Sequence, residues 1–152
     1  AVERRPVDLR AVATEEARRF RQPGRSREDR PDVVVNADGA ALVSGDPDAL
    51  GRVVRVLLDN AFRHGRPPVT VTVSRKDGRA TVEVRDVGPG LPAGSEDRVF
   101  ERFYRADPSR SGEGTGLGLA IARAIVVAHG GTIRAATADS GGAAVTIELP
   151  AL

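Results

Sequence analysis

Residues 46–65 decide how this chain folds, and they read DPDALGRVVRVLLDNAFRHG. Asp46 can accept hydrogen bonds from the free backbone N–H groups of a helix start, and Pro47 at the first helical position removes no bond that the helix needs. The spacing of apolar residues predicts a helix that runs to about Arg63 and turns one stripe toward a core. That stripe comprises Leu50, Val53, Val54, Leu57, Leu58 and Ala61. A second, mostly polar stripe comprises Val56, Asn60, Arg63 and His64.

Periodic patterns on either side of this helix predict the other elements. Alternation over 69–84 indicates a β-hairpin with its turn at Lys76-Asp77-Gly78, and the spacing over Val7–Phe20 indicates an amphipathic helix. Two strands, Val33–Val35 and Ala41–Val43, are expected to form another hairpin through Asp38-Gly39. We further predict a short helix at about Asp97–Tyr104, a buried helix with the apolar set Leu117, Ala120, Ile121, Ala124, Ile125 and Ala128, and closing strands over 132–137 and 144–149. This order predicts one domain, 1–152, built as a two-layer α/β sandwich with a mixed β-sheet and helices on one face.

The composition indicates a globular protein and excludes several classes. The 152 residues are 40% hydrophobic and 29% charged, and they include no cysteine, which excludes disulfides and thiolate metal sites. The most basic stretch, 18–30, also carries Glu28 and Asp29 and has only Phe20 for base stacking, so we expect no nucleic-acid binding. No apolar run approaches the roughly 18 residues of a membrane helix, so we expect a soluble domain.

Asp86 is the first candidate for chemistry. It continues the inward-facing series of the preceding strand, so its carboxylate is expected to point into the protein, where an acid needs a partner. Gly88 and Gly90 allow a flat ligand to approach the backbone, and a carboxylate can accept a hydrogen bond from an amine such as that of adenine. The alternative is an aspartate that only closes a turn before glycine and proline.

A glycine-rich segment is the second candidate. Glycine stands at every second position from Gly112 to Gly118, directly before an apolar helix. The free N–H groups and the dipole of a helix start favour a phosphate at this place. No Lys-Ser or Lys-Thr follows, so the segment is not a P-loop of the Walker type. The alternative is a flexible linker.

The polar stripe of the long helix is the third candidate. The amide oxygen of Asn60 can ligate Mg²⁺, which in nucleotide sites takes one or two protein oxygens in addition to phosphates and water. Arg63 and His64, one turn further on, could then contact phosphate oxygens. The alternative is an ordinary surface asparagine. His64 and His129 are too few and too far apart in sequence to form a metal site of their own.

Four segments, in this order, resemble the sequence boxes of two-component sensor histidine kinases. LLDNAFRHG at 57–65 resembles the asparagine box and DVGPG at 86–90 the first glycine box. FERFYR at 100–105 looks like the phenylalanine box and GTGLGLAI at 114–121 like the second glycine box. The helix ending AHGG at 128–131 is also usual in that family. The resemblance covers about Val7 to Leu149.

The resemblance implies the Bergerat ATP-binding fold, which gyrase B and the mismatch-repair ATPases share. By position, Asp86 would hold the adenine amine, Asn60 would ligate Mg²⁺ and take part in catalysis, and Arg63 with His64 would contact phosphates. Gly88 and Gly90 would line the nucleotide site. The resemblance places the triphosphate on Gly114, Thr115, Gly116, Leu117 and Gly118, and it places catalytic Arg105 at the γ-phosphate. Residues 105–116 would form a lid that becomes ordered when ATP binds.

The same resemblance implies a role in signalling. ATP would supply its γ-phosphoryl group to a histidine on a separate helical dimerisation domain, and a response regulator would receive it next. Both histidines of this chain fall inside the nucleotide domain's own pattern, so we expect the chain to bind ATP without phosphorylating itself. We expect this piece to be monomeric and the intact protein to be a homodimeric, membrane-anchored sensor with this domain in the cytoplasm.

Two residues depart from the family pattern. Val56 stands where sensor kinases commonly have a second asparagine and ATPase relatives have a catalytic glutamate, and valine can neither ligate a metal nor accept a proton. Steady ATP hydrolysis is therefore not expected. Ala144 stands where relatives often offer a hydroxyl toward adenine, so that contact is missing or supplied by water.

Three alternatives stay open on sequence. The first is a standalone serine kinase or ATPase of the same fold, against which the phenylalanine box and the missing glutamate argue. The second is a dinucleotide-binding module at 88–93, but the preceding strand belongs to a hairpin and Pro92 disrupts the expected helix start. The third is a degenerate regulatory domain that binds no nucleotide, which Val56 and Ala144 would suit.

Overall fold

The structure is a computed structural model that describes residues 4–20, 33–96, 98–101, 117–139 and 141–152. The described helices and strands follow one another in this order: β1 (Arg5–Asp8), α1 (Leu9–Phe20), β2 (Val33–Ala37), β3 (Leu42–Gly45), α2 (Pro47–His64), β4 (Val69–Lys76), β5 (Arg79–Arg85), α3 (Gly118–Ala128), β6 (Thr132–Thr137) and β7 (Ala143–Pro150). Within these described ranges, no helix is long and apolar enough to cross a membrane.

Five strands form one mixed sheet in the order β2-β4-β5-β7-β6. Strand β2 runs parallel to β4, and the other neighbours are antiparallel. Strands β1 and β3 form a separate antiparallel pair. The three helices pack together and against the five-stranded sheet. The predicted two-layer α/β sandwich with a mixed sheet is therefore confirmed.

The core lies between the sheet and α2. Val73, Val82 and Ile147 stand opposite one another on β4, β5 and β7, and each is at most 1% exposed. All six residues of the predicted apolar stripe of α2 are also buried. Because burying one such side chain contributes about 1.5–3 kcal/mol, this stripe fixes the rotation of α2 and leaves its polar stripe outside the core.

The start of α2 forms as its sequence predicts. The Asp46 side chain accepts hydrogen bonds from the backbone N–H groups of Asp48, at 2.9 Å, and Ala49, at 3.3 Å. Pro47 is the first helical residue, and the helix ends at His64, one residue beyond the expected end. The hairpin of β4 and β5 also forms, with Asp77 and Gly78 at positive φ in its turn.

The predicted hairpin over 33–43 is wrong. Strand β2 pairs in parallel with β4, with Val33 opposite Val69, whereas β3 pairs with β1, with Val7 opposite Val43. The turn-forming residues between β2 and β3 redirect the chain from one sheet to the other. Each strand finds a partner distant in sequence that buries its valine, and a local turn signal carries no information about that partner.

The start of the first helix also differs from the expectation. Val7 and Asp8 belong to β1, and α1 begins at Leu9. The Asp8 carboxylate accepts hydrogen bonds at 3.0 Å from the N–H of Arg10 and from that of Ala41. Asp8 therefore ends the strand, caps the helix and ties both to the start of β3.

Two expectations for the C-terminal half are corrected. In α3 the buried residues are Ala122 and Val126, whereas Ala124 and Ala128 of the predicted buried set are exposed. Arg123 is the one charged residue of α3, so apolar spacing could not select the buried face. The expected helix at Asp97–Tyr104 is replaced by turns over 98–101, and its other residues lie outside the described ranges.

Candidate nucleotide-binding site

Asp86 lies directly after β5 and is 4% exposed, so its predicted inward orientation is confirmed. Its Oδ1 accepts hydrogen bonds from the N–H groups of Gly88, at 2.7 Å, and Ala143, at 3.3 Å. Within the described residues Oδ2 accepts no hydrogen bond. One oxygen is thus held by the backbone, and the other can accept a donor from a ligand.

The loop after Asp86 is held against the end of β6. Gly90 has φ +83°, and a Cβ there would lie 2.7 Å from Cγ2 of Thr137. The N–H of Leu91 donates a hydrogen bond of 3.1 Å to Oγ1 of Thr137. Glycine at 90 is therefore required both by the left-handed backbone and by the close approach of this threonine.

The last two turns of α2 carry the polar candidates. Asn60 is half-buried, and in the described part of the chain its side-chain amide makes no hydrogen bond. Nε of Arg63 lies 3.0 Å from Oδ2 of Asp59, and both side chains are about half exposed, so this ion pair is weak and can open. His64 is exposed at the end of the helix.

The structure brings this helix end next to Asp86. The N–H of Val87 donates a hydrogen bond of 3.0 Å to the carbonyl oxygen of Arg66, two residues beyond α2. Gly65, the residue between α2 and Arg66, lies directly against the Asp86 carboxylate. Sequence reasoning assigned no role to Gly65 or to the N–H of Ala143, because both act through contacts between distant parts of the chain.

The start of α3 lies beside the polar stripe of α2. A Cβ built on Gly118 would lie 3.4 Å from Cγ1 of Val56. Leu117 precedes the helix and provides no side-chain hydrogen bond to its first turn. The N–H groups of that turn are therefore not capped by Leu117 and could meet an anion.

Several predicted site residues cannot be placed. Arg105, Gly114, Thr115 and Gly116 lie outside the described residues, as does the proposed lid at 105–116. Among the residues that are described, no group of three or more histidine, cysteine or acidic side chains could hold a metal ion. The free amide of Asn60 fits an ion that takes one protein oxygen and receives its other ligands from a nucleotide and water.

The two departures from the family pattern are both close to the site. Val56 is half-buried one turn before Asn60 and packs toward Gly118, as described above. Ala144 is 8% exposed on β7, where it stands opposite Arg85. Neither side chain offers a polar atom to a ligand.

Comparison with known proteins defines the class to which this fold and site belong. A family model described as "Histidine kinase-, DNA gyrase B-, and HSP90-like ATPase" matches residues 45–152. "Sensor histidine kinase component HK1" of Mycobacterium tuberculosis is 43% identical over 119 residues, which cover 78% of this chain and 71% of HK1. The chain spans only 32% and 22% of two further curated sensor kinases that it matches.

Solved structures agree with the sequence relatives. The mycobacterial sensor histidine kinase MprB superposes with a TM-score of 0.80 and 36% identity over 98% of both chains. ShkA, described as full-length and in complex with AMPPNP, superposes with a TM-score of 0.83 and 26% identity over 99% of this chain and 32% of ShkA.

The family match defines an ATP-binding α/β sandwich. The chain belongs to this family, and within it to the catalytic domains of two-component sensor histidine kinases.

Proposed function

We propose that this chain binds ATP together with Mg²⁺ and presents the γ-phosphoryl group to a histidine on a separate helical domain. The observation that carries the proposal is the buried carboxylate of Asp86, whose Oδ1 is held by two backbone N–H groups while Oδ2 accepts no hydrogen bond from the described residues. Oδ2 of Asp86 accepts the exocyclic amine of adenine, while the two backbone N–H groups on Oδ1 keep the carboxylate in place.

The polar residues of the last two turns of α2 hold the phosphates. Asn60 supplies one amide oxygen to Mg²⁺, which offsets the charge that develops on the phosphoryl oxygens. Arg63 and His64 contact phosphate oxygens once Arg63 leaves Asp59. The first turn of α3, at Leu117 and Gly118, adds N–H groups and the positive end of the helix dipole. The preceding glycines and Arg105 complete the triphosphate site.

The transfer step needs positioning more than covalent chemistry from this domain. A nitrogen of the incoming imidazole bonds to the γ-phosphorus as the bond to the bridging oxygen breaks and ADP leaves. The accepting histidine belongs to a helical dimerisation domain of the intact protein, from which a response regulator takes the phosphoryl group. The domain works on the cytoplasmic side of the membrane.

Calorimetric titration with ATP and Mg²⁺ tests the proposal. In Asp86→Asn the two backbone N–H groups hold the amide oxygen and turn the NH₂ group toward the adenine amine. We expect affinity to fall by about two orders of magnitude, the scale of a hydrogen bond to a charged group. Asn60→Ala should weaken binding of ATP with Mg²⁺ more than binding of ATP in EDTA.

Matched substitutions serve as controls. Asp77→Asn makes the same chemical change in the exposed turn between β4 and β5, and Asn36→Ala removes an exposed amide from β2. Both should bind ATP like the unaltered chain. Unchanged affinity in Asp86→Asn would refute the adenine assignment.

A second candidate function is a regulatory domain that has lost nucleotide binding. The observations that favour it are the apolar side chains of Val56 and Ala144 beside the site. The same titration decides between the two functions, because a degenerate domain would bind neither ATP nor ADP at millimolar concentration.

A further inference from the structure

The end of α2 touches the Asp86 carboxylate with no side chain between them. Gly65, which follows α2, has φ −105° and ψ −154°, an extended conformation that other residues adopt readily. Its backbone angles therefore do not require glycine. The close packing against Asp86 requires glycine, because a Cβ on Gly65 would overlap the Cγ and both carboxylate oxygens of Asp86.

Two further glycines close around the same aspartate. A Cβ on Gly88 would lie 2.9 Å from the Cα of Gly65 and 3.1 Å from Oδ1 of Asp86. Gly142 has φ +80°, and a Cβ there would overlap the carbonyl oxygen of Asp86. We call Gly65, Gly88 and Gly142 the glycine socket. Two of these glycines pack against the Asp86 carboxylate and the third against its backbone carbonyl, while the N–H groups of Gly88 and Ala143 hold Oδ1.

We propose that Gly65 is a positioning residue for adenine recognition. Its missing side chain lets the end of α2 press against Asp86 and hold Oδ2 where it meets the amine of the nucleotide. This inference rests on the proposed function, in which Asp86 accepts that amine.

An alanine at 65 has no low-cost place for its methyl group. The Asp86 side chain is short and bound through Oδ1, so it cannot swing away without losing the hydrogen bonds from Gly88 and Ala143. The substitution should therefore displace the carboxylate and remove the contribution of the adenine amine. Contacts to the triphosphate, which lie on the other side of Gly65, should be affected much less.

The test compares two nucleotides on the same chain. ATP and purine riboside triphosphate differ only in the exocyclic amine, and both are titrated with Mg²⁺ by calorimetry. The unaltered chain should prefer ATP by at least about tenfold, the scale of one hydrogen bond to a charged group. In Gly65→Ala this preference should fall to about threefold or less while the affinity for purine riboside triphosphate stays within about threefold.

Gly39→Ala is the matched control. A Cβ on Gly39 meets no atom within 4 Å, so this variant should keep the full preference for ATP. Circular dichroism and thermal unfolding show whether each variant is folded. If Gly65→Ala does not fold, Gly88→Ala takes its place. The Cβ of that alanine would lie 2.9 Å from the Cα of Gly65 and would push it away.

The outcomes separate this inference from the proposed function. A preference lost in Asp86→Asn but kept in Gly65→Ala overturns the role of Gly65 and leaves the adenine assignment standing. A preference kept in both overturns the adenine assignment itself. Equal weakening of both nucleotides in Gly65→Ala also overturns the inference, because it would show a general disturbance of the helix end.

Discussion

Glu16 is an acid that the fold buries on α1, and Arg55 on α2 reaches in to meet it. The Glu16 side chain is 6% exposed. Nε and Nη2 of Arg55 donate hydrogen bonds of 3.1 and 3.0 Å to its two carboxylate oxygens. The hydrogen bond to Glu16 raises the pKa of Arg55 above its ordinary value. This bidentate ion pair joins α1 and α2 at the edge of the core, where Arg55 is half exposed.

At the residue scale, Arg55→Ala should destabilise the chain. Among the described residues, this variant leaves the buried Glu16 carboxylate with Arg19 alone, whose Nη1 is 3.7 Å away, so we expect the free energy of unfolding to fall by about 1–3 kcal/mol in urea titrations. Arg18→Ala breaks the neighbouring pair with Glu15, which is exposed to solvent, and should leave stability nearly unchanged. Equal losses in the two variants would contradict this account.

A second prediction at this scale concerns Val56. An asparagine there would place an amide beside Gly118, at the first turn of α3, where the phosphates are proposed to bind. We expect Val56→Asn to tighten ATP binding by up to about tenfold, the scale of one net hydrogen bond. Val56→Leu adds no polar group and should give no gain. Weaker binding in Val56→Asn than in Val56→Leu would argue that the valine is needed for packing.

At the element scale, His129 connects three parts of the chain. It is 3% exposed at the end of α3, where its Nδ1 lies 2.7 Å from the carbonyl oxygen of Ile125. Its Nε2 accepts a hydrogen bond of 3.1 Å from the N–H of Asp46, the residue that caps α2. These partners assign the neutral tautomer with hydrogen on Nδ1. A Cβ on Gly45 of β3 would lie 2.7 Å from the His129 ring.

His129→Ala should therefore loosen the junction of α2, α3 and β3. We expect the free energy of unfolding to fall by about 2–4 kcal/mol, because a cavity forms and the N–H of Asp46 loses its acceptor. Denaturant titration measures the loss. The matched control is His64→Ala, which removes the chain's other histidine from an exposed position and should change stability by less than about 0.5 kcal/mol. A similar loss in both variants would show that burial of His129 is not the cause.

The elements that the sequence predicts well are those whose signals are local. The Asp46-Pro47 start of α2, its apolar stripe and the hairpin of β4 and β5 depend on neighbours in sequence, and all three form. The pairing of β2 with β4 depends on a strand more than thirty residues away, and nothing local specifies it. The start of α1 could be predicted in part, because Asp8 directly precedes the helix and aspartate is a good capping residue.

Across the whole molecule, the features of the site also divide into those with a local sequence signal and those that depend on distant contacts. The burial of Asp86 follows from alternation along β5, so sequence alone could predict it. The contact of Gly65 with Asp86 could not be predicted, because it joins a helix end to a strand end across 21 positions of sequence. The same holds for Gly118 and Val56, which meet only when α3 packs on α2.

The proposed transfer to a histidine on a separate helical domain also predicts how this chain behaves by itself. His129 is buried in the α2–α3 junction, and His64 is proposed to bind phosphate oxygens beside Asn60 rather than to attack the γ-phosphorus, so we expect neither histidine to accept the phosphoryl group. Incubation with γ-labelled ATP should leave this chain unlabelled. Added in trans, the proposed helical phosphoacceptor domain should gain label that is stable in alkali and labile in acid, as a phosphohistidine is. Asp86→Asn in the kinase chain should abolish that labelling and Asp77→Asn should preserve it, whereas label on the chain alone would contradict the division of labour proposed between the two domains.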